Sequence, residues 1–173
     1  YGSNLFNLYI EEKFNSIKAE MPYVVFDLES DGRDIKEFSF IKEDNTRTYQ
    51  SEEQLSSLSR ALKRTPIIVG HNMRQWDLPI LEKKGISTRS FIWDTLVIEI
   101  LLNPCRYAYS LHTTHCAEDD VKLTDKLFWN QLYRLSIQPE LCKSLENFLP
   151  QELKGILDKL QQPVFKDYFQ KYA

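Results

Sequence analysis

The chain has 173 residues, 42% of them hydrophobic and 27% charged, with only five glycines. That length suits one domain with appendages, and that composition excludes a disordered or fibrous chain. The net charge of −3 argues against a broad basic surface for nucleic acid, but not against a site that holds a few phosphates through metal ions and local lysines.

Residues 1–22 predict an amphipathic helix, with Leu5, Phe6, Tyr9, Ile10, Phe14 and Ile17 at helical spacing and Pro22 closing the segment. Such a helix would pack on the main domain or on a partner. Tyr23 to Glu29 follows as an apolar, β-branched and aromatic run, which predicts a strand buried on both faces. Residues 35–41 and 46–49 read as two shorter strands of a meander around the turn Glu43-Asp44-Asn45. Ser51-Glu52-Glu53-Gln54 has the form of a capping box and opens a helix with Leu55, Leu58 and Leu62 on one face. Ile67-Ile68-Val69 predicts another buried strand, leading into Gly70-His71-Asn72. A helix from Asp77 to Lys84 should stop at Gly85. Residues 91–93 form a short strand, and Asp94-Thr95 caps a helix carrying Leu96, Val97, Ile100 and Leu101. A long helix runs from about Ala117 to Leu135, after which Pro139, Pro150 and Pro163 divide the rest into short helical pieces. Strands alternating with helices after a meander imply an α/β domain with a mixed sheet. Three parts are expected: the helix at 1–22, the main domain at 23–135, and a helical extension or connector at 136–173.

The three cysteines, Cys105, Cys116 and Cys142, lack any Cys-x-x-Cys pairing. This disfavours a zinc ribbon or disulfide framework and suits a reducing compartment. No stretch approaches the ~20 apolar residues of a membrane span, and the first residues lack a signal-peptide pattern. A cytoplasmic location without membrane partners is expected. The chain starts with Tyr1 rather than Met, as a processed or excised chain does.

The candidate chemistry lies in the acidic residues. Asp27 and Glu29 are two residues apart on the first strand and so leave the same face. Two carboxylates side by side repel unless a cation sits between them, and a divalent metal is the natural choice. For Asp-x-Glu alone, an acidic solvated turn through Ser30-Asp31-Gly32 is the simpler reading. Placed at ~100° per residue, Ala117, Val121, Leu123, Thr124, Leu127, Phe128 and Leu132 form one arc of the long helix. Asp120 falls inside that arc, whereas Glu118 and Asp119 lie opposite it with Lys122 and Lys126. A carboxylate on a core face needs a hydrogen-bond partner or a cation. Asp77, before Leu78-Pro79, reads in isolation as a helix N-cap. His115 lies five residues before Asp120; a histidine there is commonly a surface or capping residue, and near a metal site it is a suitable base. His71 and Asn72 suit loop hydrogen bonds, and His112 the surface; Trp76 suits either stacking on a base or, the preferred reading, the core. Lys83, Lys84, Arg89 and Arg106 are candidate phosphate contacts.

Taken together, these stretches resemble the DEDDh branch of the DnaQ-like exonucleases. Asp27-Leu28-Glu29 followed by Gly32 matches its first motif. Asn72-Met73-Arg74-Gln75-Trp76-Asp77 matches its second, and His115-Cys116-Ala117-Glu118-Asp119-Asp120 its third. The likeness covers about residues 23–135. It departs from the family pattern where only His112-Thr113-Thr114 separates Ser110-Leu111 from His115. The resemblance implies a ribonuclease H-like mixed sheet flanked by helices, with helical extensions at both ends. It implies 3′–5′ exonuclease activity on DNA or RNA with two ions, Mg²⁺ or Mn²⁺, held by Asp27, Glu29, Asp77 and Asp120. His115 would be the base, and Ser30, Asp31, Gly32 and Asn72 would meet the terminal nucleotide. The partner implied is nucleic acid with a 3′ end, within a larger protein or beside a helicase, polymerase or integration factor. Other readings are a catalytically silent end-binding or protein-interaction module on the same fold, and a related metal-dependent endonuclease.

Overall fold

The computed structural model describes residues 2–105 and 116–170. Five strands make one mixed sheet: β1 (Tyr23–Ser30), β2 (Ile35–Lys42), β3 (Asn45–Tyr49), β4 (Ile67–Gly70) and β5 (Phe91–Asp94), in the order β3-β2-β1-β4-β5. The meander β1–β2–β3 is antiparallel, and β4 and β5 join β1 in parallel. The helices are α1 (Gly2–Ala19), α2 (Leu55–Arg64), α3 (Asp77–Lys83), α4 (Thr95–Leu102), α5 (Ala117–Ser136), α6 (Pro139–Leu145), α7 (Gln151–Leu160) and α8 (Phe165–Gln170). This is the α/β arrangement with a mixed sheet that the sequence implies.

Local chemistry explains most boundaries. Glu43 and Asp44 take φ of 52° and 63°, the left-handed pair of a two-residue hairpin turn. Asn45 therefore belongs to β3, paired with Lys42, and not to the turn. Ser51 caps a single 3₁₀ turn at Glu52–Gln54 by accepting from the Glu53 N–H, and α2 follows. Gly85, at φ 79°, ends α3 in the left-handed conformation that favours glycine.

Two compact units divide the chain: residues 23–128, and residues 1–22 with 129–173. In the first, Val24, Phe26 and Leu28 of β1 are buried in one cluster with Leu55, Leu58 and Leu62 of α2 and Ile80 and Leu81 of α3. Tyr23, on the alternate face, lies against Phe128 of α5 with ring centroids 5.2 Å apart, and its hydroxyl donates to Asp125. Asp27 and Glu29 share that alternate face.

In the second unit, Phe14 sits among Trp129, Tyr168 and Phe169, with centroids 5.1–5.5 Å away. Leu153, Ile156, Leu157 and Leu160 form the buried stripe of α7, and Lys159 pairs with Glu20. The amphipathic reading of α1 holds for its second half only. Ile10, Phe14 and Ile17 are buried, but Leu5, Phe6 and Tyr9 are exposed.

Helix α4 starts behind the Asp94 cap where expected; it buries Thr95 and Glu99 and exposes Val97, Ile100 and Leu101, and being apolar almost throughout, it carries no periodic signal to orient it. One further expectation is corrected: in the arc of α5, Leu123 is exposed and Leu127 only half-buried, although Ala117, Asp120, Val121, Thr124, Phe128 and Leu132 are buried. No helix among the described residues is long and apolar enough to cross a membrane.

Candidate metal centre

Strand β1 pairs with β4 only from Tyr23 to Val25. Beyond that point its β4-side edge is open, at the place where strand order reverses and α/β sheets commonly bind ligands. Asp27 and Glu29 lie along this open edge, while β2 pairs with them on the other side through Ser39 and Glu37. Asp120, on the first turn of α5, meets them there. One carboxylate oxygen from each of the three lies within 4.8 Å of the others. Asp120 is 2% exposed, and its backbone N–H bonds to the Cys116 carbonyl.

Asp77 joins the group from the other side of the strand edge. It is the first residue of α3 and is buried, and Trp76 is the capping position without a side-chain bond. Asp77 is thus no N-cap. Its carboxylate accepts the Leu28 backbone N–H and stands close enough to Glu29 and Asp27 to feel their charge. Asp27 Oδ2 and Asp77 Oδ2 are both buried without a hydrogen-bond partner. Orphaned buried oxygens of this kind are costly unless a cation completes them.

The charges show the strain of the grouping. Burial, followed by the charges of Asp77, Asp120 and Glu29, pushes the Asp27 carboxyl up to about 9. Burial likewise raises Asp77 to about 8, against the lowering effect of the Leu28 N–H. A divalent cation reverses this by favouring the ionised forms. The donor set is all oxygen, which suits Mg²⁺ or Mn²⁺ rather than a thiolate-loving metal.

The loop that delivers Asp77 is held by Asp94. Its carboxylate caps α4 through the Leu96 N–H (3.0 Å) and also accepts from Asn72 N (2.8 Å) and Arg74 N (3.3 Å). The capping role is legible in the sequence; the grip on residues 72–74 is not, because it crosses 20 residues of chain. Asn72 sits at φ 54°, a conformation asparagine tolerates better than most residues. After Glu29 a β-bulge shifts the register, so that Ser30 pairs with Ile35. Asp31 then closes a tight turn by accepting from Arg33 N (2.9 Å) and Asp34 N (2.7 Å), which holds its carboxyl below the usual range. Gly32 adopts φ 89° within that turn.

The structure therefore brings Asp27, Glu29, Asp77 and Asp120 together, with the Ser30–Gly32 turn following directly on Glu29 and Asn72 five residues before Asp77. Trp76 corrects an expectation. It is 62% exposed rather than core, because Asp77 and Met73 take the inward positions around it. Lys84 is engaged by Glu52. His115, His112 and Arg106 lie outside the described residues.

Among solved structures, the chain is similar to NrnC of Brucella melitensis with bound Mg²⁺. The identity is 15% over 83% of this chain and 85% of that one, with a TM-score of 0.52. The fold is ribonuclease H-like. No family model and no curated protein matches the chain. At this identity the likeness concerns the fold alone: a ribonuclease H-like sheet with flanking helices and helical extensions.

Proposed function

We propose that this protein is a metal-dependent 3′–5′ exonuclease that hydrolyses terminal phosphodiesters of DNA or RNA, favouring single-stranded ends, to nucleoside 5′-monophosphates. The observation that carries the reading is the convergence of Asp27, Glu29 and Asp120 within 4.8 Å, beside the orphaned buried oxygens of Asp27 and Asp77. The likeness to a Mg²⁺-bound protein of the same fold supports it.

Asp27, Glu29 and Asp120 would hold one Mg²⁺ or Mn²⁺, and Asp27 with Asp77 a second. Paired ions of this kind supply charge stabilisation to both the attacking and leaving oxygens of an in-line displacement. The protein's own contribution is placement. Asp27 and Glu29 are fixed by a paired strand, Asp77 by the Leu28 N–H, and Asp120 by the first turn of α5. His115, five residues ahead of Asp120, takes the proton of the attacking water. The Ser30-Asp31-Gly32 turn and the side chain of Asn72 receive the terminal nucleotide, since the Asn72 backbone N–H is held by Asp94. The exposed Trp76 indole offers a stacking surface next to Asp77. The exposed apolar end of α1 and the helices after α5 serve as attachments within a larger cytoplasmic nucleic-acid-processing assembly, such as one with a helicase, polymerase or integration factor.

The test is digestion of 5′-labelled DNA and RNA strands with Mg²⁺ or Mn²⁺, beside EDTA and Asp120→Asn controls. The proposal expects a ladder shortening from the 3′ end and absent in both controls. Binding of the strand without cleavage would favour a silent end-binding module, and cutting of a circular strand would favour an endonuclease.

A further inference from the structure

We infer that Glu52 and Lys84, both remote from the acidic cluster in sequence, form a brace that sets the spacing between Asp77 and the β1 carboxylates. Helix α3 is a rigid strut of seven residues, about 10 Å long. Its first residue, Asp77, is tied to β1 through the Leu28 N–H. Its far end is tied to the same strand by a different route. Lys84, which caps α3, places Nζ 2.9 Å from Glu52 Oε1 and 3.0 Å from Oε2. Glu52 Oε1 also accepts the Ile35 N–H at 2.5 Å. Ile35 is the partner of Ser30 across the β-bulge, one residue from Glu29. Asp34 Oδ1 adds a weaker contact with Lys84 at 3.9 Å.

The result is a closed circuit: Asp77 to Leu28 at one end of α3, and Lys84 to Glu52 to Ile35 and Ser30 at the other. The reason for a second tie is physical. Asp77 faces Asp27 and Glu29, so wherever these carboxyls ionise, like charges push α3 away from β1. One backbone hydrogen bond opposes that push at the near end, and the brace stops the strut from pivoting at the far end. The Ile80, Leu81 and Ile86 side chains that seat α3 are apolar and allow sliding, whereas the charged pair fixes register. Lys84 and Glu52 are positioning residues in this account. Neither touches the cluster.

The inference rests on the metal-site reading above, and its sign separates it from simple electrostatics. Removing the positive charge of Lys84 would, by Coulomb's law, strengthen binding of a cation nearby. Loss of positioning weakens it. The experiment measures free Mn²⁺ by electron paramagnetic resonance during titration of the wild type, Lys84→Met, Lys84→Arg and Glu52→Gln. Melting temperature and KM for a labelled oligonucleotide are measured on the same samples. The expected result is about tenfold weaker Mn²⁺ binding in Lys84→Met, the low end of the cost of losing an outer support of a metal site. Lys84→Arg should recover most of it, and Glu52→Gln should resemble Lys84→Met. Equal or tighter Mn²⁺ binding in Lys84→Met overturns the brace while leaving the metal site standing. So does a loss that Lys84→Arg fails to recover. Absence of Mn²⁺ binding in the wild type overturns both. The melting temperatures separate global unfolding from repositioning, because a half-buried ion pair of this kind contributes little to stability.

Discussion

Asp27 and Asp77 meet at the unpaired edge of β1 from separate elements, and each leaves one buried carboxylate oxygen without a hydrogen-bond partner. The relationship has a cost in stability that depends on pH. Both groups have folded-state values raised, to about 9 and about 8, by burial and by neighbouring carboxylates. A carboxyl that holds its proton more tightly in the folded state stabilises the fold fully below its unfolded value, near pH 4. That stability is lost as pH rises through the raised values. In EDTA the melting temperature should therefore be higher at pH 5.5 than at pH 8.5, by ~5 °C or more if about 2 kcal/mol is at stake. Millimolar Mg²⁺ should raise the value at pH 8.5 most, because the cation binds the ionised cluster. Calorimetry at both pH values, with and without Mg²⁺, checks this. A melting temperature in EDTA that climbs with pH would contradict it.

The same repulsion gives opposite effects of one substitution on stability and activity. At pH 8 the Asp27 carboxyl must hold a proton in the folded state that it releases on unfolding; Asp27→Asn removes that requirement and should stabilise the metal-free protein. It should also lower metal-dependent cleavage by more than ~100-fold, since even outer supports of metal ligands cost 10–100-fold. Gain of stability with loss of function is the mark of a strained site. Denaturant melts and initial rates on one preparation report both.

Asp94 links two parts of the site region. It is 3% exposed and accepts three backbone N–H groups, from Asn72, Arg74 and Leu96. Asp94→Ala leaves these donors unmet and should destabilise the protein by about 2–3 kcal/mol. Asp94→Asn should recover part of that. Hydrogen exchange at Asn72 and Arg74 should quicken in Asp94→Ala well before the sheet amides respond.

Trp76 offers an optical reading of substrate binding. The chain has three tryptophans. Trp93 and Trp129 are at most 2% exposed, whereas Trp76 is 62% exposed. Quenching of indole emission by an oligonucleotide in EDTA should arise from Trp76 and vanish in Trp76→Phe. Trp76→Ala should weaken binding by ~1–3 kcal/mol, the usual cost of losing one stacked base, with an unchanged melting temperature. Persistent quenching in Trp76→Phe would remove the tryptophan from the substrate path.

Much of this architecture is legible in the sequence. The apolar run 23–29 announces β1, and alternation puts Asp27 and Glu29 on one face. The helical arc of α5 singles out Asp120, and prolines mark α6 to α8. What the chain withheld involved contacts between distant segments. Asp77 reads as a cap because its real partner, the Leu28 N–H, is 49 positions away. Trp76 reads as core because bulk and hydrophobicity do not reveal that Met73 and Asp77 already fill the inward positions. Lys84 reads as a phosphate contact because Glu52 is 32 residues upstream. Helix α4, apolar on every side, gives no clue that it buries Glu99 and exposes Val97.

The central question is whether the three converging carboxylates hold divalent cations. The direct measurement is anomalous diffraction from crystals soaked in Mn²⁺ at pH 8, with Asp120→Asn crystals treated alike. The expected result is an anomalous peak bounded by Asp27, Glu29 and Asp120, a second peak on the Asp77 side of Asp27, and loss of the first in the variant. Mn²⁺ peaks elsewhere on the protein, with none at the open end of β1, would contradict it.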